Sequence, residues 1–265
     1  MSRISKFLSM SLQAGAFLLA TSFAAHAISE KELAVVEAAE LIEIVGQSLA
    51  KAYFYKHLGI RVANANKDID EGMIQLNSSV RVLTENLTDE EEKNILLFMT
   101  FTRDEIEETL SLPYSEENGS LMIDFSESLL EGADFIVARH GEENNPDLDM
   151  LVTSEKMIYL LERINKYYIA FQAGLNDSNN VQQLNTAVAD FESLLGVVNA
   201  HQGYPAGVKS SVDKVNKFWP IAKRFYLGIE KGALPVIVLA STNNLEKELH
   251  KIEAHHHKTL VGDSI

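Results

Sequence analysis

The residues best suited to chemistry lie near the C-terminal end of the chain. His250, Glu253 and His257 are spaced three and four residues apart, so a helix would place all three on one face. Neutral imidazole is a good ligand for late transition metals, and this spacing is therefore compatible with a metal-binding helical bundle. The alternative is a solvated helix end, where histidines also complement the helix dipole. We favour the solvated end and predict neither a metal nor a cofactor.

A catalytic role has no support in the sequence. The G-x-S-x-G, P-loop and dinucleotide-binding patterns do not occur, and no nucleophile lies beside a base. Glu253 and His256 match half of a di-iron carboxylate site, but such bundles use this spacing twice together with two more glutamates. The equivalent position before His140 is Val137, which cannot bind iron. We therefore predict a protein that binds or senses something and is not an enzyme.

The composition narrows the classes of site and partner. Cysteine is absent from the 265 residues, which excludes disulfides, zinc–thiolate sites and iron–sulfur clusters. Acidic residues outnumber basic ones by 38 to 23, which gives a formal net charge of −15. A chain this acidic should repel nucleic acid and anionic lipid, although a negative surface often serves only solubility.

The start of the chain has the layout of a secretory signal peptide at 1–27. Arg3 and Lys6 precede an apolar stretch at about 7–23, and the small-residue triplet Ala25-His26-Ala27 supplies a cleavage site. We expect cleavage after this triplet and a periplasmic mature protein.

Beyond the predicted signal peptide, the sequence contains no stretch typical of a membrane helix. The longest clean apolar run covers residues 233–240, whereas a membrane helix needs ~20 apolar residues. We therefore expect no membrane span after signal cleavage. An uncleaved N-terminal anchor is the alternative.

Helices must position these residues. Apolar residues recur at spacings of three and four over long windows while strand signals are scarce, which predicts an all-α fold. The first half is predicted to hold a long helical stretch at about 29–86, a helix capped by Thr88 that ends near 112, and a helix at about 121–140. Three glycines are candidates to bend or break the long stretch: Gly46, Gly59 and Gly72.

The second half is predicted to repeat this plan after a polar linker at 141–146. A long helical stretch covers about 150–201, with a polar break at 176–180. Helices at about 208–231 and from Pro235 to about 257 follow, and a proline suits the first turn of a helix.

An internal duplication is indicated when the chain is slid against itself by 115 positions. Lys51 then falls on Lys166 and Tyr53 on Tyr168, and an offset of 116 aligns the last helices of the two halves. Any two amphipathic helices can be slid into apolar agreement, but the shared Lys-x-Tyr and the shared order of helices favour a true repeat. We predict two tandem helical-bundle units of about three antiparallel helices each, at 28–144 and 145–265.

The repeated element resembles one family of sensor domains. The PilJ-type or NarX-like domain of type IV pili methyl-accepting chemotaxis transducers has a characteristic helix that reads approximately A-G-R-Q-R-M-L-S-Q-R-I-A-K-x-Y. The stretch 39–53 matches its tail with Gln47 and Leu49-Ala50-Lys51-Ala52-Tyr53. The stretch 156–168 keeps five matching residues: Leu160, Arg163, Ile164, Lys166 and Tyr168. The later segment Phe218-Trp219-Pro220, followed by the helix from Pro235, resembles the family's closing segment.

The resemblance implies a periplasmic sensor-type helical module. Our candidate ligand-binding residues are Lys51, Arg163 and Lys166, with Tyr53 and Tyr168 nearby. In nitrate-sensing relatives, arginines on the characteristic helix contact the anion. At four of those positions this chain has other residues: Leu41, Glu43, Ser48 and Ile158. Only Arg163, with Lys156 at the first arginine position of the second unit, could supply the positive charge. Because acids at Glu40 and Glu43 also oppose negative charge, a small anion such as nitrate is a poor fit.

The cytoplasmic signalling parts of such transducers have no counterpart in this sequence. We therefore expect a soluble sensory or ligand-binding protein without its own signalling domain, whose signal passes to a membrane receptor or a pilus component. A structural protein whose acidic faces bind a basic partner is a further alternative, and its association would be sensitive to salt.

Overall fold

The computed structural model describes residues 29–140 and 145–262 of the chain. Within these ranges the protein consists of eight α-helices and one short 3-10 helix without any strand, so the predicted all-α fold is confirmed. None of these helices is long and apolar enough to cross a membrane. The predicted signal peptide and residues 141–144 of the predicted linker lie outside the described residues.

The helices divide evenly between the two halves of the chain. The first half holds α1 (Glu30–His57), α2 (Val62–Asn86), α3 (Glu90–Ser111) and α4 (Glu116–His140). The second half holds α5 (Pro146–Gln172), α6 (Ser178–Ala200), α7 (Ala206–Tyr226) and α8 (Pro235–Val261), with the 3-10 helix Ile229–Lys231 between α7 and α8. Each half therefore has four α-helices rather than the predicted three or so, because both long stretches are broken in the middle.

The first long stretch is broken at one of its three glycines. α1 ends at His57, and positive φ angles of 70° at Gly59 and 49° at Arg61 turn the chain back into α2. The other two glycines remain inside helices. At Gly72 a Cβ atom would lie 2.9 Å from Leu49 Cδ2 of α1, so this glycine allows α1 and α2 to approach closely.

Side-chain caps fix where several helices begin. Ser29 and Glu32 form a capping box at the start of α1, in which the Glu32 amide donates to Ser29 Oγ at 3.1 Å. Asp89 caps α3 by accepting from two backbone amides of the first turn, so the cap lies one residue after the predicted Thr88. Pro235 occupies the first turn of α8, as predicted.

The first helices of the two halves, α1 and α5, form the centre of the molecule. α1 packs against α2, α4 and α5, while α5 packs against α6, α8 and α1. The outer helices α3 and α7 pack against α4 and α8, so the helices of both halves follow the same order of contacts. Both central helices are buried on nearly every side, which suits helices that are apolar around most of their circumference. The duplication itself stays a prediction.

The two central helices run side by side in the same direction. Leu33 near the start of α1 belongs to a small apolar cluster with Leu148 near the start of α5. Towards the other end of the pair, Tyr55 of α1 donates a hydrogen bond of 2.9 Å to Asn165 Oδ1 of α5. A large apolar core with members from all eight helices surrounds this pair. Polar groups on α1 and α5 are therefore presented to both halves of the molecule.

Candidate functional site

A buried ion pair joins the two central helices. Lys51 of α1 donates to Glu162 of α5, and Lys51 Nζ lies 2.6 Å from Oε1 and 2.5 Å from Oε2. Both residues are buried. Burial lowers the pKa of Lys51, but the carboxylates of Glu162 and Glu246 outweigh burial and hold this pKa above its usual value. Lys51 is therefore charged, and a residue of the other half neutralises it.

A polar cavity of about 270 Å³ opens beside this ion pair, between α1, α2 and α8. We call it the inner cavity. Four carboxylates and two cations form its charged lining: Asp68, Glu71, Glu162, Glu246, Lys51 and Arg61. Since the carboxylates outnumber the cations, the inner cavity is acidic.

Two acids of the inner cavity have raised pKa values. Burial raises the pKa of Glu246 well above its usual range, and the neighbouring carboxylate of Glu162 raises it further. A hydrogen bond with the Glu162 side chain raises it as well. Burial also raises the pKa of Asp68, which faces the same space from α2. Both carboxyl groups would therefore gain from a positive charge placed in this cavity.

A second cavity, of about 570 Å³, is lined by residues of α1, α2, α5 and α8. We call it the outer cavity. Its ionisable lining consists of three acids and two histidines: Glu37, Glu155, Glu253, His250 and His257. Ile44 and Gln75 line both cavities, so the two spaces adjoin. The inner and outer cavities together are called the central cleft below.

The two histidines that were candidate metal ligands both line the outer cavity and both pair with carboxylates. His250 Nδ1 lies 2.6 Å from Glu253 Oε2, and this hydrogen bond raises the pKa of His250. His257 Nε2 lies 2.9 Å from Glu37 Oε1. In the part of the chain that the structure describes, no group of three or more His, Asp or Glu side chains is placed to hold a metal ion. The metal-binding alternative gains no support from this arrangement.

Glu155 of α5 is the deepest acid of the outer cavity. Glu155 is only 7 % exposed, and its Oε2 has no hydrogen-bond partner among the described residues. Burial raises its pKa well above the usual range, and the carboxylates of Glu253 and Glu37 raise it further. The sequence reasoning missed this residue. The signal for it was an acid within a helix that is apolar on most faces, because such an acid has to be buried.

The predicted ligand-binding cations of α5 are already neutralised by α4. Arg163 Nη2 and Lys166 Nζ donate to the carboxylate of Glu127 at 2.5 and 2.6 Å. Burial raises the pKa of Glu127, but the two cations outweigh burial and lower this pKa to about 2. Burial lowers the pKa of Lys166 to about 8. The positive charge that an anion would need at this place is therefore used within the fold.

The two predicted ligand-binding tyrosines, Tyr53 and Tyr168, lie apart from the central cleft and from the ion pairs of Glu127. Tyr53 lines a separate cavity of about 280 Å³ together with Tyr114, and the two ring centroids are 5.8 Å apart. Tyr168 Oη accepts a hydrogen bond of 2.9 Å from the Leu234 amide and so holds the segment that leads into α8. Of the five predicted ligand-binding residues, only Lys51 lines the central cleft.

Comparison with known proteins gives no match for this chain: no family model, no curated protein and no solved structure is similar to it. The resemblance to PilJ-type sensor domains therefore stays a prediction from the residues quoted above.

Proposed function

We propose that this chain is an exported ligand-binding protein of the sensor type, and that its ligand occupies the central cleft. One observation carries the proposal. The cleft lies between helices of both halves, and the buried ion pair between Lys51 and Glu162 joins those halves inside it. A ligand in the cleft therefore acts on the contact that holds the two halves together.

The position of the ion pair provides a physical route from binding to signal. A charged ligand beside Lys51 and Glu162 changes the electrostatic free energy of the α1–α5 contact, because attraction between charges is strong in a buried site. A ligand shifts a conformational equilibrium only by its difference in affinity for the two states. The α1–α5 contact is a place where such a difference arises, since each helix also packs on two further helices of its own half.

Two sequence features support export and signalling. The predicted signal peptide at 1–27 places the mature chain in the periplasm, and the predicted resemblance to PilJ-type sensor domains suits a binding rather than a catalytic role. Under this proposal, the surface of the ligand-bound protein is recognised by a membrane receptor or a pilus component.

Thermal unfolding of the purified protein with a panel of small molecules tests the proposal. The panel contains nitrate, nitrite, divalent metal ions, amino acids and polyamines. A ligand that binds only the folded state stabilises it by about 2.7 kcal/mol when its concentration is 100 times Kd, so binding is seen as a raised midpoint.

Two variants decide whether the binding takes place in the cleft. The double variant Lys51→Met/Glu162→Met replaces the ion pair by apolar side chains of similar size, a change that folds tend to tolerate. It should lose the ligand-dependent rise in midpoint. Lys217→Met on the exposed face of α7 is the matched control and should retain the rise. Equal rises in both variants, or no rise with any compound, would contradict the proposal.

A further inference from the structure

The central cleft has two acidic ends with an apolar residue between them. In the inner cavity four carboxylates face the two cations Lys51 and Arg61, and in the outer cavity three carboxylates face two histidines. Ile44 lies at the junction of the two cavities, and the apolar side chains of Leu41 and Val45 line the spaces on either side of it. The junction between the two acidic ends therefore offers an apolar contact at Ile44 and a polar one at Gln75.

An unpartnered buried carboxyl group shows that the outer end is more than a solvated acidic surface. Glu155 is 7 % exposed, it lines the outer cavity, and its Oε2 has no hydrogen-bond partner among the described residues. A buried polar atom without a partner costs free energy, and natural proteins keep few of them. Neighbouring groups cover this oxygen, so the Glu155 carboxyl group has to turn towards the outer cavity for a donor of the ligand to satisfy it.

Resting on the proposed function, we propose that the ligand is a linear organic polyamine. One terminal ammonium group lies among the carboxylates of the inner cavity and a second lies beside Glu155 in the outer cavity. The methylene groups between them pack on Ile44, and the secondary ammonium group of a triamine such as spermidine lies beside the amide of Gln75 at the same junction. An ammonium group offers three hydrogen-bond donors and a full positive charge, which suits carboxylate oxygens. Methylene groups gain free energy when apolar surface covers them.

A metal ion is a poorer match for the same charges. It needs several ligand atoms that converge on one point, and the described residues contain no such group of three. The carboxylates of the cleft are instead spread over two adjoining spaces of about 270 and 570 Å³. A flexible chain with separated charges fits this distribution, and the two adjoining spaces taken together are within the range of about 300–1,000 Å³ that small-molecule sites occupy.

Calorimetric titration of the whole purified protein with spermidine tests the proposal. We expect one spermidine per chain in a buffer of physiological ionic strength, together with a raised unfolding midpoint. Butylamine carries a single ammonium group on a similar methylene chain and can occupy only one end, so it should bind at least tenfold more weakly.

Replacing one ionisable carboxyl group at the outer end gives the decisive comparison. Glu155→Gln keeps the size of the side chain, removes the carboxylate and should weaken spermidine binding at least tenfold without lowering the unfolding midpoint of the free protein. Glu253→Gln in the same cavity should also weaken binding. Glu107→Gln on the exposed face of α3 removes an equal charge far from the cleft and should bind spermidine like the unaltered protein.

The outcomes separate this inference from the function on which it rests. Unchanged binding in Glu155→Gln and Glu253→Gln, or butylamine binding as tight as spermidine, overturns the polyamine assignment. A compound of another class that raises the midpoint and loses its effect in Lys51→Met/Glu162→Met also overturns it but leaves the cleft as a binding site. If no compound binds, both proposals fall.

Discussion

Lys51 and Lys166 are buried on the two parallel central helices, and each neutralises its charge with a carboxylate of the opposite half. Lys51 in the first half binds Glu162 in the second, while Lys166 in the second half binds Glu127 in the first. The two ion pairs thus cross the boundary between the halves in opposite directions. This reciprocal arrangement ties the halves together by buried charge as well as by apolar packing, and it provides the most direct tests of the structure.

The single variant Lys51→Met should destabilise the fold strongly. It leaves Glu162 buried near Glu246 without its cation, and breaking a buried pair from one side typically costs about 3–5 kcal/mol. The double variant Lys51→Met/Glu162→Met should recover most of that loss, because neither charge is then buried alone. Urea unfolding of the four proteins of this double-mutant cycle measures the coupling. If the two single losses simply add, the pair does not interact as the structure shows.

Glu127→Gln should lower the stability of the protein at neutral pH, by about 2–4 kcal/mol, because Arg163 and Lys166 then lack their counter-charge. In the folded protein the pKa of Glu127 is lowered from 4.5 to about 2. Its contribution to stability is therefore fully present above pH 4.5 and is lost as the pH falls towards 2. Urea unfolding from pH 7 down to pH 2 should show the variant and the unaltered protein converging at the acidic end. The exposed-site variant Glu107→Gln should show no such convergence.

Glu40→Gln should stabilise the protein at neutral and alkaline pH. Glu40 is fully buried in α1, and neither carboxyl oxygen has a hydrogen-bond partner among the described residues. Burial raises its pKa well above 4.5, and the carboxylate of Glu155 raises it further, although Lys156 opposes this. The folded state therefore binds a proton that the unfolded state has released, and stability falls as the pH rises above 4.5.

The pH dependence of unfolding checks this expectation for Glu40. The gain in unfolding free energy of Glu40→Gln over the unaltered protein should be present at pH 8 and should vanish below the usual carboxyl pKa, where both side chains are neutral. A gain that is constant with pH would show that the carboxyl group does not change its charge in this range.

Export should leave a mature protein that begins at Ile28. The basic start, the apolar stretch and the Ala25-His26-Ala27 triplet predict cleavage after Ala27, since signal peptidase requires small residues at these positions. N-terminal sequencing of the protein from a periplasmic fraction checks the site. Ala27→Leu should block cleavage and keep the chain at its full length, whereas Ala14→Leu within the apolar stretch should be processed normally. A full-length unaltered protein would favour the uncleaved anchor.

The helices could be predicted from the sequence because their local signals are strong. The 3.6-residue apolar pattern predicted the all-α fold. Pro235 predicted where the last helix begins. The cap at Asp89 was missed by one residue because both Thr88 and Asp89 are good capping residues. The break at Gly59 could not be chosen over Gly72, since one glycine ends a helix and the other permits close packing. That difference depends on tertiary contacts.

The candidate site was harder to predict because its charges are paired by the fold. Arg163 and Lys166 have the residue types of an anion site, but Glu127 reaches them from a helix nearly forty residues away in the sequence. Nothing local in the sequence indicates that contact. Glu155 and Glu162 could have been singled out, since acids on a central helix with few polar faces have to be buried.

The predicted duplication relates Arg163 to a residue of the inner cavity. At the offset of 115 positions its counterpart is Ser48, a small residue that lines the inner cavity. In the second half, Arg163 donates hydrogen bonds to Glu127 and to Gln183, and Gln183 is the counterpart of Asp68. Under the predicted duplication, Arg163 occupies in the second half the position that Ser48 occupies beside the inner cavity in the first half. The two predicted copies then differ in the use of one position: in the second half it holds an ion pair with α4, and in the first half it leaves space beside Lys51.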